Sequence, residues 1–391
     1  MRIIVGGYIG LYPTGGATWD YIQYPLGLKL LGHDVYYIED TMQYPVYQLS
    51  DEAWDDCTEC VKYLKKEMES IGLEDRWAYR DGVTGNSYGM SQTKIEELCA
   101  SADVFINVSC STVLREEYLK IPRRIMVDTD PMFTQVEFLQ RPVPPKEKGY
   151  SAFDFLNAHT DLYTFGLNIG KDDCRIPDLG FNWKTTKKPI CIDFWNKTNT
   201  LNSLYGFTSI MNWKERAAFE YEKESWGQKN IIFEKFVELP KKTESSFDLI
   251  INRPADDNTK KSMLQLEVQG WNILSPHELI SNKDDYNNFI QASYAEFSVT
   301  KETYIKSNSG WFSGRSACYL AAGKPVITQD TQWTKYIPAG EGLFACDNLE
   351  EASNAVKEIT ADYSKHSKAA KEIAAEYFDS SKVLSDILKH V

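Results

Sequence analysis

Residues 309–325 read SGWFSGRSACYLAAGKP and place Ser309, Gly310, Ser313, Gly314, Arg315 and Ser316 just ahead of a short apolar helix ending in Gly-Lys-Pro. Small residues let a backbone approach a ligand closely, and the N-terminus of a helix offers unpaired N–H groups to an anion. Together they can hold a phosphate. The same residues also make an ordinary loop and helix cap with no ligand, and the stretch alone leaves both readings open.

Other residues could move protons or grip rings. Asp128 and Asp130 in MVDTDPMF end an apolar run, with Pro131 blocking helix continuation, so one of them could act as a base or both could be turn carboxylates. Asp20 and His159 are further candidates for the base. Trp19 and Tyr21 follow a first glycine loop directly, and Trp311 and Trp333 flank the later one, so these four are the aromatic residues expected to line a site. Asp330, Thr331 and Gln332 follow the apolar run KPVIT, where polar side chains could meet hydroxyl groups or simply make a turn. Cys57 and Cys60 form a C-x-x-C with no second pair at zinc-ligand spacing, and the eight cysteines are expected to be reduced thiols.

These residues must be positioned by a scaffold of 391 residues, long enough for two cores. The first half alternates apolar runs with helical patterns: RIIVGG, the loop YIGLYPTGGAT, a helix in WDYIQYPLGLKLLG, then HDVYYIED, DVFINVSC, RRIMVDTDP and DLYTFGLNIG as further strands. The pattern restarts with a strand at Pro189–Trp195, repeats through FDLIIN, WNILSP, AEFSVTK and PVITQDT, and closes in a helical tail over Leu349–Lys389. This predicts an α/β chain of two Rossmann-like, doubly wound domains, 1–185 and 186–391, facing a central cleft, with both glycine loops at the carboxyl ends of strands. No run approaches the roughly 20 apolar residues of a membrane span, and MRIIVGG enters a strand pattern directly, so a cytoplasmic protein is expected. The formal net charge of −13 opposes general attraction to nucleic acid or anionic lipid and leaves room only for a local basic groove.

From Ser307 to Leu388 the chain resembles the GT-B glycosyltransferases, in the order of loop, helix, Gly-Lys-Pro strand, EGL and terminal helices. The first half is similar only in pattern, through GG…TGGAT and LGHDVYYIED. The resemblance implies a nucleotide-diphosphate sugar as co-substrate, a UDP-sugar first, with no tightly bound cofactor and no metal. It implies donor contacts from Ser309, Gly310, Trp311, Ser313, Gly314, Arg315 and Ser316, from Asp330, Thr331 and Gln332, and from Gly15 and Gly16. Arg315 is the charged group of that loop, and its planar fork suits a diphosphate; its removal should weaken donor binding with little loss of fold stability. Many retaining members carry two glutamates around this helix, where this chain has Gly310 and Cys318. Donor identity and stereochemical outcome therefore do not follow from the resemblance. The acceptor is expected to be a small molecule or a polymer, contacted by Trp19 and Tyr21. Duplex DNA with 5-hydroxymethyl-pyrimidines, as modified in phage-infected bacteria, is an alternative, reached through Lys184, Lys187, Lys188, Arg123 and Arg124. A catalytically inactive nucleotide-sugar-binding module is the other alternative.

Overall fold

The structure, a computed structural model, describes residues 1–45, 55–140, 152–196, 203–213, 218–252 and 257–389. The chain forms two compact units: Met1–Gly166 with Pro177–Cys191 and Ser380–Val391, and Leu167–Ile176 with Ile192–Asp379. Relative to the sequence boundary expected at 185, Leu167–Ile176 falls with the second unit, and residues 186–191 and Ser380–Val391 fall with the first.

The first unit is built on β1 (Arg2–Gly6), β2 (Asp34–Glu39), β3 (Trp77–Arg80), β4 (Ser87–Gly89), β5 (Val104–Val108), β6 (Arg123–Asp128), β7 (Asp161–Thr164) and β8 (Trp183–Thr185). They form one sheet in the order β4-β3-β2-β1-β5-β6-β7-β8, parallel except for the β3–β4 edge pair. β1 and β5 are near-continuous apolar runs because a central parallel strand is covered on both faces. The strand order reverses between β1 and β5, which makes their carboxyl ends the switch point of the sheet. The first helix runs from Gly15 to Leu30, earlier than the pattern WDYIQ suggests, because Thr14 caps it with its side chain on the Ala17 N–H. Gly15 and Gly16 are consequently the first turn of a helix rather than loop residues.

The second unit carries β9 (Tyr205–Ile210), β12 (Phe247–Ile250), β13 (Trp271–Leu274), β14 (Ser293–Ser298), β15 (Val326–Thr328) and β16 (Leu343–Ala345), all parallel in the order β13-β12-β9-β14-β15-β16, with a separate hairpin of β10 (Phe219–Tyr221) and β11 (Glu224–Trp226). Its switch point lies between β9 and β14. The strand expected at Pro189–Trp195 is absent: Ile192–Phe194 is a 3-10 turn, and the Cys191 N–H is taken by the Gln23 side chain at 2.8 Å instead of a ladder partner. Trp271, Phe247 and Phe297 pack on one another in the core, as do Trp213 and Phe233, and Trp333 is fully buried with its indole N–H on the Gln329 carbonyl at 2.8 Å. Trp19, expected at a site, is buried too.

The helical tail is three helices, Leu349–Ala361, Tyr363–Tyr377 and Ser380–Leu388. The last lies on the first helix of the chain, where a Cβ on Gly27 would stand 2.7 Å from Leu384 Cδ1 and 2.9 Å from Ser380 Cβ. Arg123 fixes it from beneath, donating to the carbonyls of Ile387 (2.9 Å) and Leu388 (3.4 Å) and pairing with Asp161 (3.0 Å). Most of the basic residues expected to form a DNA track are thereby engaged within the unit. Arg124 donates to the carbonyls of Ala158 and Ile121, Lys184 pairs with Asp161 at 2.6 Å, and buried Lys188 pairs with Asp20 at 3.2 Å. Among the described residues no helix is long and apolar enough to cross a membrane.

Seating of the last helix is testable. Gly27→Val overpacks that contact and should cost about 1–3 kcal/mol in chemical denaturation; an unchanged midpoint would mean that the helix 380–388 does not rest there.

Candidate functional site

In the second unit the loop 307–313 is locked from several sides. Gly310 has φ +70°, its N–H reaches the Thr331 carbonyl at 2.6 Å, and a Cβ there would stand 2.7 Å from the Asn168 nitrogen. A glutamate therefore has no place at 310, and Cys318, where the enzymes it resembles carry a second glutamate, is buried. Ser309 is buried and donates to the Tyr304 carbonyl at 3.0 Å, while Trp311 stacks on Tyr304 with ring centroids 4.2 Å apart. Ser313 caps the helix Gly314–Ala321. The first-turn N–H groups of Gly314 and Arg315 lack intrahelical partners, as at any helix start, and can face an anion.

Arg315 occupies the switch point of this sheet. Its Nε donates to Glu296 Oε1 of β14 at 2.6 Å, Nη1 to the Ile210 carbonyl ending β9 at 2.5 Å, and Nη2 to Ser298 Oγ ending β14 at 2.6 Å. Burial would lower its pKa, yet the neighbouring Glu296 charge more than offsets this and raises it. The expectation that Arg315 can be removed at little cost to the fold is corrected by these contacts, since its loss leaves Glu296 buried and uncompensated.

The loop after β15 is partly committed to its own turn. Asp330 accepts from the Gln332 N–H (2.7 Å) and the Thr334 hydroxyl (2.6 Å), and the Thr331 hydroxyl donates to the Trp311 carbonyl (2.7 Å). Gln332 has φ +77°, and among the described residues its carboxamide has no partner. A left-handed non-glycine residue costs of order 1–3 kcal/mol and marks a position held for another reason.

In the first unit the four candidate bases separate. Asp128 is fully buried and accepts from Gln135 (2.8 Å), Thr164 (2.7 Å) and the Asp130 N–H (3.1 Å); burial raises its pKa. His159 is buried between the Phe155 carbonyl (2.9 Å) and the Asn107 amide (3.1 Å), and burial lowers its pKa to about 4, so it is neutral at pH 7. Asp20 is an exposed partner of Lys188. Asp130 alone is partly exposed beyond the carboxyl end of β6. Beside it the Thr129 hydroxyl meets Ser109 Oγ at 2.7 Å, which receives the Tyr21 hydroxyl at 3.2 Å. Ser109 and Cys110 are both left-handed, at φ +58° and +54°, directly after β5. Tyr21, Ser109, Thr129 and Asp130 thus collect at the sheet edge that includes the switch point, whereas Asp128 and His159 belong to the core.

Sequence reading missed three of these groups. Glu39, fully buried at the end of β2, accepts the N–H groups of Gly10 (2.8 Å) and Leu11 (2.5 Å) and so shapes the first glycine loop. Glu296 and Ser109 are the others. A charge inside the apolar runs YYIED and YAEFSV is the signal that could have found both glutamates. Cys57 and Cys60 are buried free thiols, and burial raises that of Cys60 to about 12.

Burial raises the Glu39 pKa from 4.5 to about 7, against the pull of its N–H partners. The folded chain then keeps a proton that the unfolded chain has released, so stability falls as pH rises from about 4.5 to about 7, by of order 3 kcal/mol. Glu39→Gln should remove that part of the fall; thermal midpoints that run parallel with wild type across the window would refute it. Arg315→Ala should lose about 3–5 kcal/mol in denaturation because it strands a buried carboxylate; a loss under 1 kcal/mol would restore the earlier expectation.

No protein-family model matches the chain, and no curated protein matches its sequence. Solved structures do match over the whole length. An alpha-glucosyltransferase in complex with UDP and a 13-mer DNA containing a central A:G mismatch is 13% identical with a TM-score of 0.56, covering 100% of this chain and 99% of that one. Anabaena Alr3699/HepE in complex with UDP is 12% identical with a TM-score of 0.57, covering 100% of both chains. A glycosyltransferase from Rickettsia africae ESF-5 is 14% identical with a TM-score of 0.53, covering 100% of this chain and 97% of that one. At such identities the likeness is one of fold, and the chain has the GT-B fold of two Rossmann-like domains.

Proposed function

We propose that the chain is a glycosyltransferase that moves a sugar from a nucleoside-diphosphate sugar, a UDP-sugar first, to a hydroxyl acceptor. The observation that carries this reading is Arg315, a guanidinium at the switch point of a GT-B donor domain beside the start of a serine-capped helix. In this reading the acceptor oxygen forms a bond to the sugar C1 as the bond from C1 to the diphosphate oxygen breaks. The charge leaving on the diphosphate is met by Arg315 and the helix N-terminus. Gln332, held left-handed with an open carboxamide, suits a sugar hydroxyl. The edge formed by Tyr21, Ser109, Thr129 and Asp130 suits the acceptor, with Asp130 taking its proton if the reaction inverts. Independence from metal and a cytoplasmic setting, in a bacterium or a phage-infected host, belong to the same proposal; the free thiols agree with the latter.

Three neighbours hold DNA, one of them with an HMU base, which brings duplex DNA in as a second acceptor. The net charge of −13 and the internal pairing of Arg123, Arg124, Lys184 and Lys188 favour a small or neutral polymeric hydroxyl acceptor instead. An inactive binding module would bind donor without turnover.

UDP and UDP-glucose at 100 times their dissociation constants should each add about 2.7 kcal/mol to stability in a thermal-shift titration; no shift with any nucleotide sugar would reject the reading. Asp130→Asn should cost about 10²–10⁴ in transfer, assayed in EDTA, with donor affinity kept. Full transfer would remove Asp130 from the chemistry, and donor binding without transfer or hydrolysis by wild type on any acceptor would leave the inactive module. A DNA acceptor would show a log–log salt slope of about −0.9 per phosphate contacted.

A further inference from the structure

We propose that Glu296 is a positioning residue for donor binding: it touches no donor atom and acts by fixing the Arg315 guanidinium across the ends of β9 and β14. The inference rests on the function proposed above. Glu296 lies inside β14 with no exposed surface, two residues before Ser298 and so on the same face of the strand. Glu296, Ser298 and the Ile210 carbonyl each take one nitrogen of the guanidinium, which fixes its plane and leaves one N–H on each of Nη1 and Nη2.

Stability alone does not account for such a carboxylate. Oε2 of Glu296 is buried and has no partner among the described residues, an omission that costs stability. A buried ion pair in a strand is commonly no more stable than apolar residues of the same volume. What the pair supplies is direction, since an arginine held at three nitrogens presents its remaining donors without losing side-chain entropy when a diphosphate arrives.

The test compares UDP with uridine, which lacks the phosphates, by titration calorimetry on the full-length wild type, Glu296→Gln, Arg315→Lys and the double variant. Glu296→Gln should weaken UDP about tenfold or more while uridine changes less than twofold. In the Arg315→Lys background the same substitution should add less than twofold, because the residue it acts through is already altered. Glu296→Asp keeps the charge but withdraws it by one methylene, and it gives the same comparison should the neutral variant not fold. UDP affinity within twofold of wild type in both glutamate variants overturns the proposal, as do equal losses of UDP and uridine or additive losses in the double variant. If wild type binds neither UDP nor any other nucleoside diphosphate, the functional reading falls first and this inference with it.

Discussion

Arg315 is held at three nitrogens by two neighbouring strands, and the geometry of the second domain's switch point depends on that bracing. A parallel sheet ends in a row of carbonyls and loops with no fixed direction of their own. At the switch point the strands part and leave a crevice, and a long side chain there is ordered only if its polar atoms are satisfied. Glu296 reaches Arg315 from within β14, the helix cap at Ser313 sets its backbone, and Gly310 lets the preceding loop close on Asn168 and Thr331.

The first domain uses the same device with a different partner. Glu39 ends β2 as a buried carboxylate, but it takes two loop N–H groups instead of a cation, and Tyr37 adds its hydroxyl at 3.2 Å. A carboxylate satisfied only by neutral donors at full burial is driven toward protonation, whereas one facing a guanidinium is not. The two domains thus brace similar edges with different partners, and burial raises the Glu39 carboxyl of the first to about 7.

Charge placement also separates structure from recognition. The chain is acidic overall, yet several arginines and lysines of the first domain serve carbonyls and carboxylates of their own unit, and Arg80 and Arg115 converge on buried Asp40. Ser109 and Cys110 after β5 and Gln332 after β15 are left-handed without being glycine, each beyond the carboxyl end of a parallel strand. Such positions are tolerated where surrounding contacts over-determine the backbone; these three lie at the proposed sites, while other left-handed residues such as Glu222, Lys223 and Glu244 lie in turns away from them.

Apolar runs separated by helical periods in RIIVGG, DVFINV and PVITQ determined by themselves that the chain would be doubly wound α/β, because period and burial follow from local composition. Of the glycine loops expected at strand ends, the first follows β1 but its Gly15 and Gly16 begin a helix, and the second follows the helix Glu302–Lys306 rather than a strand. The hydrophobic pattern of Pro189–Trp195 misled, since an apolar run says that a segment is buried and not that it pairs. Which strand ends come together is a long-range outcome, so Ser109 joining Thr129 and Tyr21, or Glu296 meeting Arg315, could not be read from spacing. The separation of Asp130 from Asp128 is of the same kind. Both end one strand two residues apart, and only packing against Gln135 and Thr164 buries one carboxylate while leaving the other partly in solvent.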